Sequence, residues 1–335
     1  MVNSEFEIRR PVLVGDTADV YLQRTLTILR NESINPVVTM EFASEKKGLL
    51  CGIKETKMLL SKILPETGAE VWALEEGEAI EANEVALRIK APYGSIGLYE
   101  TALSGMLASS TGWATAAHEC VEAAGGTGGT PVFAVGARNV HPNIASEMDY
   151  ASVRGGCVSC STIQGARLAG VTPAGNMPHA LNMIIGDAGQ AIEAFDKHMP
   201  QEVPRVALVD TLRDEAEDSI NAARSLRDRL RGIRIDTPPE RGGVTSNLVK
   251  EIRARLDLAG FKHVEIMVTG GFTPDRISQM IEQEAPVDSF GVGYYIASAS
   301  PIPFTSNIQE IDTKSVAKRG RIPGVTTNPR LDRVI

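Results

Sequence analysis

The chain has 335 residues, 43% hydrophobic and 23% charged, with a formal net charge of −8. That length exceeds one ordinary core, so two domains are expected, with ample apolar material to fill both. The acidic balance excludes nucleic-acid binding by bulk charge, no run nears the ~20 apolar residues of a membrane span, and the first ten residues lack the apolar stretch of a secretory signal; a cytoplasmic protein acting on small molecules is expected.

Residues 1–115 change character often. Val12–Val14, Val37–Met40, Val71–Leu74 and Val85–Ile89 read as short strands broken by Gly, Pro, Asn and Glu, with helical stretches near 17–30, 52–62 and 97–110. This is the pattern of a mixed α/β N-terminal domain. From about residue 130 the order becomes regular. Strands near 132–136, 157–161 and 171–175 lead into Arg205–Val209, a charged helix over about 214–231, the strand Gly232–Ile235, an amphipathic helix over about 245–259, the strand Val264–Val268, a helix opening at Pro274, and a strand from Val287 to Phe290. Alternating strands and helices imply parallel βαβ units. About seven strands stop one short of a closed eight-stranded barrel, so the expected class is α/β, a mixed α/β domain plus an irregular, incomplete α/β barrel.

Barrel chemistry gathers at the carboxyl ends of the strands. There the sequence places Arg138, Asp210, Asp236, and two glycine turns, Thr269-Gly270-Gly271 and Gly291-Val292-Gly293. Any single Asp or Thr after a strand reads equally well as a helix cap. Consecutive strands ending this way point to a site, and the glycine pair to a phosphate, because glycine lets backbone N–H groups approach an anion. Arg138 and Arg234 suit carboxylate or phosphate oxygens through the guanidinium fork. Arg234 stands two residues before Asp236, so both side chains leave the strand on one face; a structural pair between them is the competing reading. His179 lies at a loop-to-helix junction in Met177-Pro178-His179-Ala180-Leu181. The four cysteines are too few to staple the chain. Cys157 and Cys160 form a CxxC without further zinc ligands, so buried thiols are expected.

Thr17–Tyr21 followed by Arg24-Thr25, Tyr99–Leu103, Gly136–Pro142, Met177–Leu181, Leu208–Thr211, Ile233–Thr237, the two glycine turns and Ala317–Arg321 occur in one order along the chain. That ordered set resembles the nicotinate phosphoribosyltransferases, especially their short archaeal and bacterial form. The resemblance implies an α/β domain over 1–115, to which a 301–335 tail returns, and a barrel over 116–300. It implies transfer of the phosphoribosyl group from phosphoribosyl pyrophosphate to nicotinate, in homodimers or larger homo-oligomers with shared sites. On the family's pattern Arg138 and Tyr21, the latter from a neighbouring subunit, hold nicotinate, and Arg234 is the third residue expected to bind it. Asp210 and Asp236 serve the ribose and the Mg²⁺–pyrophosphate side. Thr269, Gly270, Gly271, Gly291 and Gly293 hold the 5′-phosphate, and His179 is phosphorylated by ATP as co-substrate.

Three positions depart from the family's pattern: Asn139 where a second basic residue is usual, Asn176 where Thr is usual, and Tyr294 where a small hydroxyl residue is usual. They leave open a quinolinate-type or other-base transferase and a catalytically silent nucleotide-binding relative. An aldolase is disfavoured, because the barrel strands carry no lysine for a Schiff base.

Overall fold

The computed structural model describes residues 5–335. They divide into two units, Met1–Ala116 with Ala299–Ile335, and Ala117–Ser298. The strands are β1 Val37–Ser44, β2 Gly48–Leu49, β3 Glu70–Ala73, β4 Ala79–Ile80, β5 Val85–Pro92, β6 Val132–Ala134 and β7 Ser159–Cys160, then β8 Val206–Leu208, β9 Gly232–Ile235, β10 Glu265–Val268, β11 Ser289–Val292, β12 Phe304–Ile311, β13 Lys314–Ser315 and β14 Asp332–Arg333. The helices are α1 Arg10–Leu13, α2 Val20–Asn31, α3 Ile53–Ile63, α4 Tyr93–Ile96, α5 Glu100–Ala123, α6 Ala145–Arg154 and α7 Ile163–Ala169, then α8 His179–Ile185, α9 Ala188–His198, α10 Glu215–Leu226, α11 Ser246–Leu258, α12 Pro274–Glu282 and α13 Tyr294–Ala297. No helix of the described residues is long and apolar enough to cross a membrane.

The first unit is built on an antiparallel sheet of order β13-β12-β1-β5-β3-β14. Half of its strands come from the C-terminal segment. Val38, Met40 and Phe42 alternate onto the face that packs with Leu59, Leu60, Leu87 and Ile89, the period-2 pattern of a half-buried strand. Glu41 is buried on the other face. It accepts from Arg88 Nε at 2.7 Å and from the Thr326 amide at 3.1 Å, so a charged pair ties the tail to the sheet. Val12–Val14 is not a strand. Pro11 sits in the first turn of α1, where proline's fixed φ and missing N–H suit a helix.

The second unit carries six parallel strands in the order β7-β6-β11-β10-β9-β8. In chain order this is a barrel opened between β7 and β8. Residues 171–175, expected as a strand, fall at that opening and form none. Pro173 and Pro178 cannot donate to a ladder. The segment runs beside β7 through only two bonds, Ser159 Oγ to the Thr172 carbonyl at 2.5 Å and the Ala174 amide to the Cys160 carbonyl at 2.8 Å. The sheet is apolar on both faces (Ala207, Leu208, Ile233, Ile235, Ile266, Val268, Phe290 and Val292 are buried), as helix-covered parallel strands require. All four cysteines are free and buried. Burial pushes the Cys160 thiol up to about 12 and Cys157 higher still, so these groups stay protonated and inert.

Candidate active site

Within the second unit the carboxyl ends of five adjacent strands carry the polar residues. Asp210 follows β8, and its side chain is 1% exposed. Its Oδ2 lies 2.9 Å from His179 Nε2, and its Oδ1 accepts the Asp236 amide at 3.2 Å. Both carboxylate oxygens are therefore engaged. In a neutral imidazole this contact places the proton on Nε2 and leaves the Nδ1 lone pair free. His179 opens α8, on the loop that the barrel opening releases.

Asp236, after β9, is half-buried, and its side chain has no protein partner among the described residues. Arg234 does not pair with it. Its Nη2 instead donates to the Met177 carbonyl at 3.2 Å, and its Nε is buried without a partner. The guanidinium thus ties the histidine loop to β9. Burial lowers the Arg234 pKa from its ordinary value, Asp236 and Asp210 oppose that, and the like charge of Arg138 adds to it. The four groups therefore share one electrostatic environment. Arg138, in the short turn Ala137–Asn139 after β6, is exposed and has no ion pair among the described residues.

The glycine turns are built for close approach. Gly270 and Gly271 have φ of +98° and +70°, a region costly for residues with a Cβ. Arg276 Nη1 donates to both of their carbonyls, at 2.7 and 2.9 Å, with its guanidinium 4.6 Å from the Phe272 ring centre. Because each peptide is planar and trans, its N–H points away from its clamped carbonyl, which leaves the Gly271 and Phe272 amides free to meet an anion. At Gly291 a Cβ would stand 2.5 Å from Thr269 Cγ2, so glycine is required where β10 and β11 exit side by side. Thr269 is buried, with its Oγ1 3.4 Å from the Ile235 carbonyl, and lines the turn as packing. Gly293 precedes α13, and Tyr294 is 70% exposed.

The helix-cap reading fails for these residues, because the caps are Asp214, Thr245 and Thr273. Sequence reasoning missed Arg276, Asn182 and Arg213. Arg276 left one signal, a cation in a helix first turn, where the macrodipole disfavours it.

Tyr21 belongs to the first unit and is described there. It is 56% exposed on α2, with its hydroxyl 3.4 Å from Asp19 Oδ2. Asp19 Oδ2 also accepts the Thr101 hydroxyl at 2.8 Å, so the two N-terminal motifs meet. The Asp19 charge raises the phenol pKa.

Two family models cover most of the chain: quinolinate phosphoribosyl transferase, N-terminal domain, over residues 19–111, and its C-terminal domain over 113–305. The nicotinate-nucleotide pyrophosphorylase structure from Pyrococcus furiosus is similar at 37% identity and a TM-score of 0.86, over 96% of this chain and 81% of that one. The nicotinate phosphoribosyltransferase pncB2 of Mycobacterium tuberculosis is 32% identical over 70% of this chain and 49% of its own length. The nicotinate phosphoribosyltransferase of Bacillus subtilis is 28% identical over 69% of this chain and 46% of its own length, so the chain spans about half of each of these curated relatives. With strand ends and glycine turns arranged as above, the chain belongs to the type II phosphoribosyltransferase family, whose two domains the quinolinate phosphoribosyl transferase models describe.

Proposed function

We propose that the chain is a nicotinate phosphoribosyltransferase of NAD salvage, joining nicotinate to phosphoribosyl pyrophosphate to give nicotinate mononucleotide and pyrophosphate, with ATP as co-substrate. The observation that carries the choice of base is the cation inventory of the barrel end. Arg234 is largely buried and donates to the Met177 carbonyl, which leaves Arg138 as the one exposed guanidinium there without a protein partner among the described residues. One free fork matches one carboxylate; a dicarboxylate such as quinolinate asks for more.

In the reaction the ring nitrogen attacks the anomeric carbon while the bond to the pyrophosphate oxygen breaks, and that electron pair leaves with pyrophosphate. The protein's task is to position the partners and stabilise an oxocarbenium-like transition state. Arg138 orients the carboxylate. Tyr21 closes the base site from a neighbouring subunit of a homodimer or larger homo-oligomer. Gly270, Gly271, Gly291 and Gly293 hold the 5′-phosphate, and Asp236 faces the ribose. Both Asp210 oxygens already have a protein partner, so Asp236 is the better fitted of the two to hold Mg²⁺. Bound there, Mg²⁺ would neutralise the leaving pyrophosphate. His179, with Nδ1 free, attacks the γ-phosphorus of ATP as the bond to the bridging oxygen breaks and ADP leaves, and water later releases phosphate from the imidazole.

The test is pyrophosphate release from phosphoribosyl pyrophosphate and Mg²⁺ with nicotinate, nicotinamide or quinolinate, each with and without ATP. Release with nicotinate, enhanced by ATP, supports the proposal. Release with quinolinate accompanied by CO₂ replaces it with the reading that the family models' name favours. No release with any base leaves a nucleotide-binding relative.

A further inference from the structure

Helix α8, which carries His179, is poorly held by the usual means. It has seven residues, and its one buried residue is polar, Asn182. Met183 and Ile184 are 59% and 83% exposed. A helix this short is marginal without packing, and no strand ladder precedes it.

What fastens it is a set of polar side-chain contacts, all to the segment 208–213 after β8. His179 meets Asp210. Asn182, one turn on and on the same face, donates its Nδ2 to the Leu208 carbonyl at 2.7 Å and to Thr211 Oγ1 at 3.1 Å. At the far end Asp187 caps α9 through Oδ1, and its Oδ2 takes Arg213 Nη1 at 2.8 Å.

Arg213 is itself pinned. Asp218 of α10 is fully buried, neither of its oxygens has a hydrogen-bond partner, and Arg213 Nη1 lies 3.5 Å from Oδ1. Glu217 Oε1 stands 3.6 Å from Arg213 Nε. A buried carboxylate without its cation is costly, so the guanidinium is held between α10 and the α8–α9 junction.

The geometry points to Arg213 as a positioning residue for His179: it locks the α8–α9 junction to the β8 exit and so keeps the imidazole in register with Asp210. The kinetic part of this inference rests on the function proposed above; the structural part does not.

The test compares Arg213→Gln, Arg213→Lys and the double variant Arg213→Gln/Asp218→Asn, which leaves no bare buried charge and so separates positioning from folding. Selective ¹⁵N labelling of the five histidines, with His179→Gln to assign the signal, reads the tautomer of His179. The native protein is expected to show Nε2–H, and Arg213→Gln and the double variant a mixture of tautomers, with Arg213→Lys close to native. In the transferase assay both Gln variants are expected to lower the ATP-stimulated kcat roughly tenfold, as loss of fine positioning does, with KM for nicotinate unchanged. A native tautomer in folded Arg213→Gln or in the double variant overturns the inference, even if stability falls. A changed tautomer in a protein that ATP never stimulates upholds the positioning role and removes the ATP step instead.

Discussion

Replacing Asp210 by Asn tests the link between the buried carboxylate and the histidine. The substitution is nearly isosteric at a side chain that is 1% exposed, so packing is preserved. The new Oδ1 can still accept the Asp236 amide, now at 3.2 Å from Asp210 Oδ1. The amide NH₂ then faces His179 Nε2, where Oδ2 stood at 2.9 Å. Two donors cannot share that contact, so Nε2 must become the acceptor and the proton must move to Nδ1. The nitrogen proposed to receive the phosphoryl group is thereby blocked. Loss of a hydrogen bond to a charged group alone is worth about 1.5–3 kcal/mol, or roughly 10- to 150-fold in rate, and the wrong tautomer adds to it. The assay is nicotinate mononucleotide synthesis at saturating substrates, with and without ATP. The expected result is collapse of ATP stimulation with the ATP-independent rate little changed. Undiminished stimulation would refute the role given to the pair, whatever the binding constants did.

His179→Ala is expected to abolish ATP stimulation while leaving slow ATP-independent synthesis; the same synthesis assay decides it. Arg138→Ala should raise KM for nicotinate on the order of 10- to 100-fold, the worth of a charge-assisted contact, and an unchanged KM removes Arg138 from the base site. Gly291→Ala forces a Cβ to within 2.5 Å of Thr269 Cγ2, so the two exits must part; KM for phosphoribosyl pyrophosphate should rise more than KM for nicotinate. Asp218→Asn concerns stability. Burial raises the Asp218 pKa above its ordinary 3.8, so the folded protein retains a proton that the unfolded chain has already lost, and stability falls as pH rises from 3.8 through the raised value. The Asn variant escapes that loss. Urea unfolding followed upward from about pH 4 should show the variant gaining on the native protein as pH rises, and a stability difference that does not change with pH would contradict this.

What could be read beforehand depended on how strongly local pattern constrains each element. β9 runs over Gly232–Ile235 as expected, because a short apolar run with a following Asp has few alternatives. α12 opens at Pro274, where proline is at home. Val12–Val14 failed because three apolar residues carry no period, and the proline before them decided the matter. Residues 171–175 failed because Val171 and Thr172 suggest a strand that Pro173 forbids. The polar residues and glycine turns at the strand ends were legible from position. Asn182, Arg213 and Arg276 were not, since each acts by donating to oxygens of neighbouring segments, and such contacts leave no spacing in the sequence. Arg234 fell between: its burial on a strand was foreseeable, but its engagement of the Met177 carbonyl depended on where an unpaired loop came to lie.

The sheet order adds an argument that no single residue carries. From one side to the other the exits run β6, β11, β10, β9, β8, and so Arg138, the Gly291–Gly293 turn, the Gly270–Gly271 turn, Asp236, then Asp210 with His179. Asp210, which accepts on both oxygens, and the largely buried Arg234, which donates to the Met177 carbonyl, hold the framework. Those left for a ligand are Arg138 on one flank, backbone amides in the middle and Asp236 toward the other flank. In the proposed reaction the anomeric carbon must face the base nitrogen on one side and the leaving pyrophosphate on the other. A 5′-phosphate anchored centrally lets the ribose do both, with the base turned toward β6 and the diphosphate toward β9 and β8. Exchanging those flanks would set nicotinate's carboxylate against Asp236 and diphosphate beside Arg138 alone, a poorer electrostatic match at both ends. On the proposed function the arrangement therefore orients the substrates as well as binding them.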